Sequence, residues 1–286
     1  MNILVLGANG MAGHMICLYL QEKGYNITGL VKKESQLYPC IIGDARDKKQ
    51  IETLFHDVQY DIVINCIGIL NRAVDTHLSD GIYLNSVFPH FLAELLQDKK
   101  SKLIHISTDC VFSGDKGAYT EKDRQDADSY YGRTKTLGEV KDGKNLTFRT
   151  SIVGPELKDS GIGLLDWFLN QTGTVKGFTR AMWTGVTTLE LAKAIEASIS
   201  QNVVGLYHLV NKEVISKYDL LCLFNKYLNE NRVDIKPDNT ISIDKSLVNT
   251  RTDFDYTVAS YQQMIYELKE WMEQHQSLYA RYNRNN

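Results

Sequence analysis

The stretch "NILVLGANGMAGHMICLYL", residues 2–20, joins a strand pattern to a helix pattern through a glycine-rich turn. The run "NILVL" is short and apolar, and the apolar residues after the turn recur at helical spacing. Gly7 permits the tight turn out of the strand, Gly10 lets the backbone approach a pyrophosphate, and Gly13 lets the helix pack close to the sheet. The helix start offers free N–H groups to phosphates, so the stretch predicts a site for a dinucleotide cofactor.

Strand-like and helix-like segments continue to alternate through the first half of the chain. They are "ITGLV", "PCIIGD", "DKKQIETLF", "DIVINCIGI", "YLNSVFPHFLAELLQDK", "SKLIHIST", "YYGRTKTLGEV" and "LTFRTSIVG". This order predicts an α/β fold, a Rossmann-type doubly wound parallel sheet with helices on both faces. Beyond residue 150 the alternation weakens. We therefore predict a cofactor-binding domain over residues 1–150. Over residues 151–286 we predict mainly a smaller substrate-binding lobe, with some elements packing back on the sheet.

Composition excludes several classes of function. The 286 residues are 43% hydrophobic and 23% charged, which is ordinary for a globular protein. A net charge of −3 provides no basic field for nucleic acid and no polybasic patch for a membrane. No apolar run is long enough to span a bilayer, and the N-terminus lacks the pattern of a signal peptide. The five cysteines are scattered and form no C-x-x-C pair, so we expect reduced thiols, a cytoplasmic protein and no metal site.

The end of the second predicted strand bears on the choice of cofactor. NAD sites usually place an acidic residue there to hold the ribose 2′-hydroxyl, whereas this chain has Lys32 and Lys33. Two ammonium groups favour the 2′-phosphate of NADPH, with NADH as the alternative if the lysines only face solvent. Asp44 is placed to bond the adenine amino group, or else to cap the next helix. We also assign to the cofactor site Asn9, Met11, Ala12, Ala45, Cys66, Ile67 and Gly68, together with Tyr131 and with Lys135, which can hold the nicotinamide ribose.

Two adjacent tyrosines precede a lysine in "DSYYGRTKTLGE", residues 128–139. In a helix, Tyr131 and Lys135 share a face, whereas Tyr130 is turned aside by about 100°. A nearby ammonium would stabilise the phenolate, so we predict that Lys135 lowers the pKa of Tyr131 toward a useful range. Ser107 and Thr108 follow an apolar strand and supply a hydroxyl at the sheet edge where ligands bind.

These motifs together resemble a known superfamily. The glycine turn, "STDCVFSG" and Y-x-x-x-K are similar to the extended short-chain dehydrogenases/reductases. Within them, "FRTSIVGPE" and "GVTTLELAKAI" resemble the dTDP-4-dehydrorhamnose reductase family. The resemblance implies a triad of Thr108, Tyr131 and Lys135, a nicotinamide cofactor, and a nucleotide-linked 4-keto-6-deoxy sugar as substrate, used in bacterial surface polysaccharide synthesis. Cys110 and Ser113 depart from the family's "TDYVFDG". A UDP-linked 4-keto-6-deoxy-N-acetylhexosamine therefore stays open beside dTDP-4-dehydrorhamnose.

Five residues are assigned to the substrate: Asp109, Val111, Phe112, Arg180 and Trp183. Arg180 would grip a diphosphate and Trp183 would stack on a base or sugar, unless they are a surface arginine and a core tryptophan. A nucleotide-sugar epimerase or dehydratase of the same fold is an alternative, although a dehydratase would have a second acid where Cys110 stands. A non-catalytic regulatory subunit is another alternative. A homodimer is also compatible with the sequence.

Overall fold

The apolar runs predicted as strands form a parallel sheet in this computed structural model, which describes residues 1–56, 58–158 and 161–282, and of Arg72 the backbone only. Residues 283–286, the end of the predicted second lobe, lie outside the described residues. The strands are β1 (Asn2–Leu6), β2 (Asn26–Val31), β3 (Cys40–Ile42), β4 (Ile62–Asn65), β5 (Lys102–Thr108), β6 (Leu146–Thr150), β7 (Ile152–Val153), β8 (Thr174–Trp183), β9 (Val186–Thr187), β10 (Gly205–His208), β11 (Ile215–Ser216) and β12 (Asp234–Asp244).

Helices connect these strands. They are α1 (Met11–Glu22), α2 (Lys48–Thr53), α3 (Asn71–Thr76), α4 (Leu78–Ile82), α5 (Phe88–Leu95), α6 (Tyr130–Leu137), α7 (Leu164–Leu169), α8 (Thr188–Ser200), α9 (Lys217–Leu228) and α10 (Tyr261–Gln274). A π-helical turn over Tyr83–Val87 joins α4 to α5, and 3-10 turns cover Asp109–Val111 and Ala280–Tyr282. Side chains cap several helices: the Ser129 hydroxyl, for example, accepts a hydrogen bond from the Gly132 N–H at the start of α6.

The large sheet has seven strands in the order β10-β6-β5-β4-β1-β2-β3. Its strand pairs are parallel, so all strands end at the same edge. The chain runs outward from β1 to β3, returns to β4 beside β1, and then continues in the opposite direction. The reversal between β1 and β4 is the switch point at which such sheets bind ligands. The predicted Rossmann-type sheet is therefore confirmed.

Both faces of this sheet are buried, as its continuous apolar strands predict. On one face Ile3 and Val5 pack in a core with apolar residues of α1, α8 and α10. On the other face Leu4 and Leu6 pack with Phe88 and Leu92 of α5. The alternation of side chains along β1 thus supplies both cores.

The second half of the chain contributes to two regions. The strands β11, β8 and β12 form a separate three-stranded sheet, and β7 pairs with β9. In contrast, β10 pairs with β6 in the large sheet, and α8 packs against α1. The elements β10 and α8 therefore pack with the first half of the chain. The division at residue 150 into a cofactor-binding domain and a substrate-binding lobe stays a prediction. Over the described part of the chain, no helix is long and apolar enough to cross a membrane.

Candidate active site

The glycine turn has the backbone features that its sequence predicts. Gly7 follows β1 with φ of +78°, a left-handed conformation that favours glycine. A Cβ on Gly13 would lie 2.2 Å from the Gly7 carbonyl oxygen, so α1 approaches the turn closely only because Gly13 has no side chain. No described side chain caps α1 at Gly10. The first N–H groups of this helix are therefore available to an anion.

A buried histidine holds the start of α1. The Nδ1 of His14 lies 2.9 Å from the Gly10 carbonyl oxygen, and its Nε2 lies 3.0 Å from the Tyr279 hydroxyl. The ring therefore donates to Gly10 and accepts from Tyr279 when neutral. Burial lowers the pKa of His14 to about 4, while the Gly10 carbonyl opposes that shift. The neutral imidazole thus ties the cofactor turn to the C-terminal segment.

The loop after β4 lies directly beside this turn. A Cβ on Gly7 would meet the Ile67 Cγ1 at 2.9 Å and the Cys66 carbonyl carbon at 3.3 Å. The structure therefore brings Gly7, Gly10 and Gly13 together with Cys66 and Ile67, and Met11 and Gly68 are the next residues of the chain beside Gly10 and Ile67. Ala12 and Ala45 pack their methyl groups in the core, so only their backbone can face a ligand.

A group of charged residues lies at the ends of β2 and β3. Lys32 Nζ is 3.7 Å from Asp44 Oδ2, and Arg46 makes a bidentate contact with the same carboxylate, the shorter distance being 2.6 Å. These cations, led by the hydrogen bonds from Arg46, lower the pKa of Asp44 to about 2. Asp47 caps α2, so the alternative role of Asp44 as that cap is wrong. Sequence reasoning missed Arg46, although it stands two residues after Asp44.

Lys33 and Asn9 lie near this charged group, and only Lys33 leaves its side chain exposed. Lys33 is exposed, and its carbonyl oxygen accepts a hydrogen bond from the Asn9 side chain at 2.8 Å. The Asn9 Oδ1 in turn accepts from Tyr38 at 2.8 Å. Asn9 therefore fixes the loop after β2 against the glycine turn, and its side chain is already engaged.

The helix α6 presents its tyrosines as their spacing predicts. Tyr131 is 8% exposed whereas Tyr130 is 51% exposed, and Lys135 is buried on the face of Tyr131. Thr108 ends β5, and its hydroxyl is close enough to the Tyr131 phenol to lower the pKa of that phenol. The structure thus places the Thr108 and Tyr131 hydroxyls together at the carboxyl edge of the sheet, and the predicted helical register is confirmed.

The predicted effect of Lys135 on Tyr131 is wrong. Burial raises the pKa of Tyr131, Cys110 and Asp109 raise it further, and the Thr108 hydroxyl opposes that shift. The Lys135 ammonium does not offset the rise in this pKa, and its Nζ donates to the Ile106 carbonyl oxygen at 2.7 Å. Tyr131 is therefore a fully protonated phenol at neutral pH, which suits a proton donor.

The buried side chain of His105 lies next to the ammonium of Lys135. The Asn65 Oδ1 accepts from the Ile67 N–H at 3.0 Å, so the Asn65 Nδ2 donates to the His105 Nδ1 at 3.2 Å. A neutral His105 then carries its proton on Nε2, which lies 3.4 Å from the Lys135 Nζ. Burial lowers the pKa of Lys135 to about 8, while Glu139 and Cys66 oppose that shift. Sequence reasoning missed His105, because a lone histidine in a strand gives no signal.

An ion pair without solvent exposure supports the end of β5. Arg149 binds both carboxylate oxygens of Glu139, at 2.7 and 2.6 Å, and neither side chain is exposed. Glu139 Oε1 also accepts from the Ser107 hydroxyl at 2.9 Å, one residue before Thr108. Removing one member of such a pair would leave a buried charge without a partner. The pair therefore holds the strand end that carries Thr108.

The residues after Thr108 divide between the site and the core. Asp109 is buried beside the triad, and its Oδ1 accepts from the Thr108 hydroxyl at 3.2 Å. Val111 and Phe112 have no exposed surface, and Phe112 stacks on Tyr119 with ring centroids 4.1 Å apart. Their prediction as substrate residues is corrected, because their side chains fill a core cluster and cannot contact a ligand.

Arg180 and Trp183 do not face the same ligand, as the sequence predicts that they would. Both lie on β8, but Arg180 is on the exposed face whereas Trp183 is on the buried face with 2% exposure. The Lys217 Nζ lies 5.0 Å from the centroid of the Trp183 ring. Lys217 begins α9 and was not predicted. It replaces Arg180 as the cation next to Trp183.

The chain matches known proteins over nearly its whole length. A family model described as RmlD substrate binding domain matches residues 1–283. The "Probable low-salt glycan biosynthesis reductase Agl14" of Haloferax volcanii is 29% identical over 239 residues, 77% of each chain. The methionine adenosyltransferase 2 subunit beta of Rattus norvegicus is 22% identical over 252 residues, which cover 82% of this chain and 74% of that one. A structure of dTDP-4-dehydrorhamnose reductase from Bacillus anthracis in complex with NADP has a TM-score of 0.79 at 19% identity, covering 95% of this chain and 99% of that one, and supports the fold.

Proposed function

Because the chain belongs to the RmlD substrate binding domain family, we propose that it is a nicotinamide-dependent oxidoreductase acting on a nucleotide sugar. The proposed reaction reduces the 4-keto group of a 6-deoxyhexose to a hydroxyl group. The sugar is linked to dTDP or UDP. The description of the Haloferax volcanii relative as a glycan biosynthesis reductase supports a role in making polysaccharide precursors.

One observation carries this proposal. The hydroxyls of Thr108 and Tyr131 lie close together at the carboxyl edge of the sheet, where β5 ends. The glycine turn after β1 opens at the same edge. Two hydroxyls that converge beside a dinucleotide site are suited to hold the oxygen of a carbonyl group.

The residues around the turn fit a dinucleotide. The space beside Gly13 would be filled by a Cβ, and the first turn of α1 has no described cap. These features support pyrophosphate binding at the start of α1. Lys32 and Arg46 support a 2′-phosphate, and hence NADPH over NADH. When bound, the reduced nicotinamide would supply the hydride for the carbonyl carbon.

The protein's own part is to supply a proton and hold an oxygen. Tyr131 transfers its phenolic proton to the carbonyl oxygen as that oxygen gains negative charge. Its raised pKa keeps the proton available at neutral pH, and the alkoxide product is a stronger base than the phenolate. Thr108, whose hydroxyl donates to Asp109 in this structure, would turn to donate a hydrogen bond to the same oxygen, and Lys135 would help to hold the nicotinamide ribose. The phenolate then regains its proton from water. Such acid catalysis typically contributes on the order of 10² to 10⁴ in rate.

A non-catalytic regulatory role is the second candidate, because the Rattus norvegicus relative is described as a subunit of methionine adenosyltransferase. The buried and neighbouring hydroxyls of Thr108 and Tyr131 favour catalysis. A dehydratase or epimerase is less well supported, since Cys110 follows Asp109 where a second acid would be needed.

The function is tested by incubating the protein with NADPH and a panel of dTDP- and UDP-linked 4-keto-6-deoxy sugars. The consumption of NADPH is measured as the loss of absorbance of the reduced nicotinamide. One mole of NADPH consumed for each mole of product supports a reductase. Because Cys110 and Ser113 depart from the family motif, we expect a substrate other than dTDP-4-dehydrorhamnose to react fastest. Product formed without net loss of NADPH would indicate an epimerase or dehydratase. No turnover with any sugar would favour the regulatory role.

A further inference from the structure

The Lys217 side chain is held over an immobile aromatic ring. Its Nζ lies 5.0 Å from the centroid of the Trp183 ring. Trp183 is fixed because it pairs with Ile215 across β8 and β11, and its carbonyl oxygen accepts a hydrogen bond from the Tyr261 hydroxyl at 3.2 Å. A cation above a buried indole is attracted to the ring, which sets the position of the ammonium group.

This ammonium faces the same turn as the catalytic tyrosine. Burial lowers the pKa of Lys217, whereas Asp109 and Cys110 favour its charged form. Asp109 and Cys110 also act on Tyr131, and the Thr108 hydroxyl contacts Asp109. Lys217 and Tyr131 are therefore both within electrostatic range of the Asp109–Cys110 turn, and the Cys110 carbonyl oxygen lies against Gly132 of the helix that carries Tyr131.

The ammonium of Lys217 lacks the partners that comparable lysines have. Lys102 and Lys135, whose pKa values burial also lowers, donate to the carbonyl oxygens of Val203 and Ile106. Within residues 1–56, 58–158 and 161–282, no hydrogen bond or ion pair engages the Lys217 Nζ. Lys217 is only partly buried, so its ammonium is within reach of a ligand. An ammonium has three N–H donors, and an anionic oxygen of a ligand would supply the acceptor that the described residues do not.

We propose that Lys217 binds an anionic oxygen of the substrate, between Trp183 and the Asp109–Cys110 turn. This inference rests on the proposed function, because a nucleotide sugar is the ligand of that site. Two groups supply such an oxygen: the diphosphate of the nucleotide and a carboxylate on the sugar. Lys217 thereby acts as a substrate-binding residue, distinct from the proton-donating pair of Thr108 and Tyr131.

Equilibrium binding separates these two sources. UDP, dTDP, UDP-glucose and UDP-glucuronic acid are titrated into the wild-type protein, the Lys217→Gln variant and a control by calorimetry. The control is Lys226→Gln, since Lys226 lies on the same helix and over Tyr227 at 4.9 Å but is exposed. Losing a hydrogen bond to a charged group weakens binding by about tenfold to a hundredfold. We expect that loss in Lys217→Gln and no change in Lys226→Gln.

The pattern of losses decides the outcome. A loss for all four ligands assigns Lys217 to the diphosphate, whereas a loss confined to UDP-glucuronic acid assigns it to a sugar carboxylate. Unchanged affinity for every ligand in Lys217→Gln would overturn the inference and leave the proposed function standing. A wild-type protein that binds none of the four ligands would overturn both.

A second measurement avoids any variant. Reductive methylation of the wild-type protein, followed by mass spectrometry, reports which lysines are accessible. We expect saturating UDP or UDP-glucuronic acid to protect Lys217 and to leave Lys226 reactive. Equal modification of Lys217 with and without either ligand contradicts the inference, even if the Lys217→Gln variant does not fold.

Discussion

Replacing Tyr131 with Phe removes one hydroxyl from a residue whose ring is 8% exposed. Packing of the ring is unchanged, so we expect a loss of stability no larger than that of one hydrogen bond, about 1 kcal/mol. For a chain of this size that loss lowers Tm by about 2–4 °C. The proposed proton donor, by contrast, is lost completely. We therefore expect kcat to fall by about 10² or more while the fold survives.

The matched control is Tyr130→Phe on the same helix. The Tyr130 ring is 51% exposed and points away from Lys135, so the variant should keep its Tm and most of its kcat. Both variants are assayed by NADPH consumption with the best sugar of the panel, and their Tm values are measured by calorimetry. A changed KM in Tyr130→Phe is compatible with contact to substrate.

Two results would refute this reasoning. Full kcat in Tyr131→Phe would exclude the phenol as proton donor, whatever the fate of Tyr130→Phe. A Tyr131→Phe variant that unfolds would show that the hydroxyl is structural, and its kinetics would then carry no mechanistic meaning. In that case Thr108→Val, which removes the partner hydroxyl, should reduce kcat if the pair acts together.

Three further predictions concern the cofactor side. Lys32→Asp should lower the ratio of kcat/KM for NADPH to that for NADH by about tenfold or more, because a carboxylate replaces a charge that attracts the 2′-phosphate; an unchanged ratio means that Lys32 only faces solvent. Gly13→Ala should destabilise the protein by about 2 kcal/mol in urea denaturation, since its Cβ would lie 2.2 Å from the Gly7 oxygen, whereas Gly143→Ala, whose Cβ would meet nothing within 4 Å, should have little effect. Because the pKa of His14 is lowered to about 4, its contribution is present above pH 6.5 and falls by about 3 kcal/mol as the pH drops toward 4. The slope of stability against pH in this range should be smaller in His14→Gln.

Local patterns predicted the backbone of the glycine turn well for a physical reason. The turn after β1 joins the strand to α1 within seven residues, Gly7 to Gly13. The positive φ of Gly7 and the close approach of α1 at Gly13 both require glycine, so the spacing of the glycines predicts both features. The register of Tyr131 follows in the same way from helical spacing alone.

Quantities that depend on burial were not predictable from the same motifs. The spacing of Tyr131 and Lys135 suggested an ammonium that lowers the pKa of the phenol. In the structure the pKa of the phenol is raised instead, because the protein buries the phenol. The ammonium of Lys135 donates a hydrogen bond to the Ile106 carbonyl oxygen. The burial of Phe112 was not predictable either. Phe112 follows β5 closely in sequence, but its ring packs between Tyr119 and the guanidinium of Arg149. A position next to a motif does not reveal which way a side chain points.

The substrate side depends on pairings between distant segments, and there the limits of local patterns are clearest. Arg180 and Trp183 are three positions apart, and strand residues at odd spacing lie on opposite faces. Assigning residues 174–183 to a strand would have excluded a joint grip from sequence alone. No comparable rule reaches Lys217, because only the pairing of β11 with β8 carries it over the Trp183 ring. If Lys217 binds an anionic oxygen of the substrate as proposed, exchanging Lys217 would change substrate affinity and leave the glycine turn and the Tyr131 helix in place.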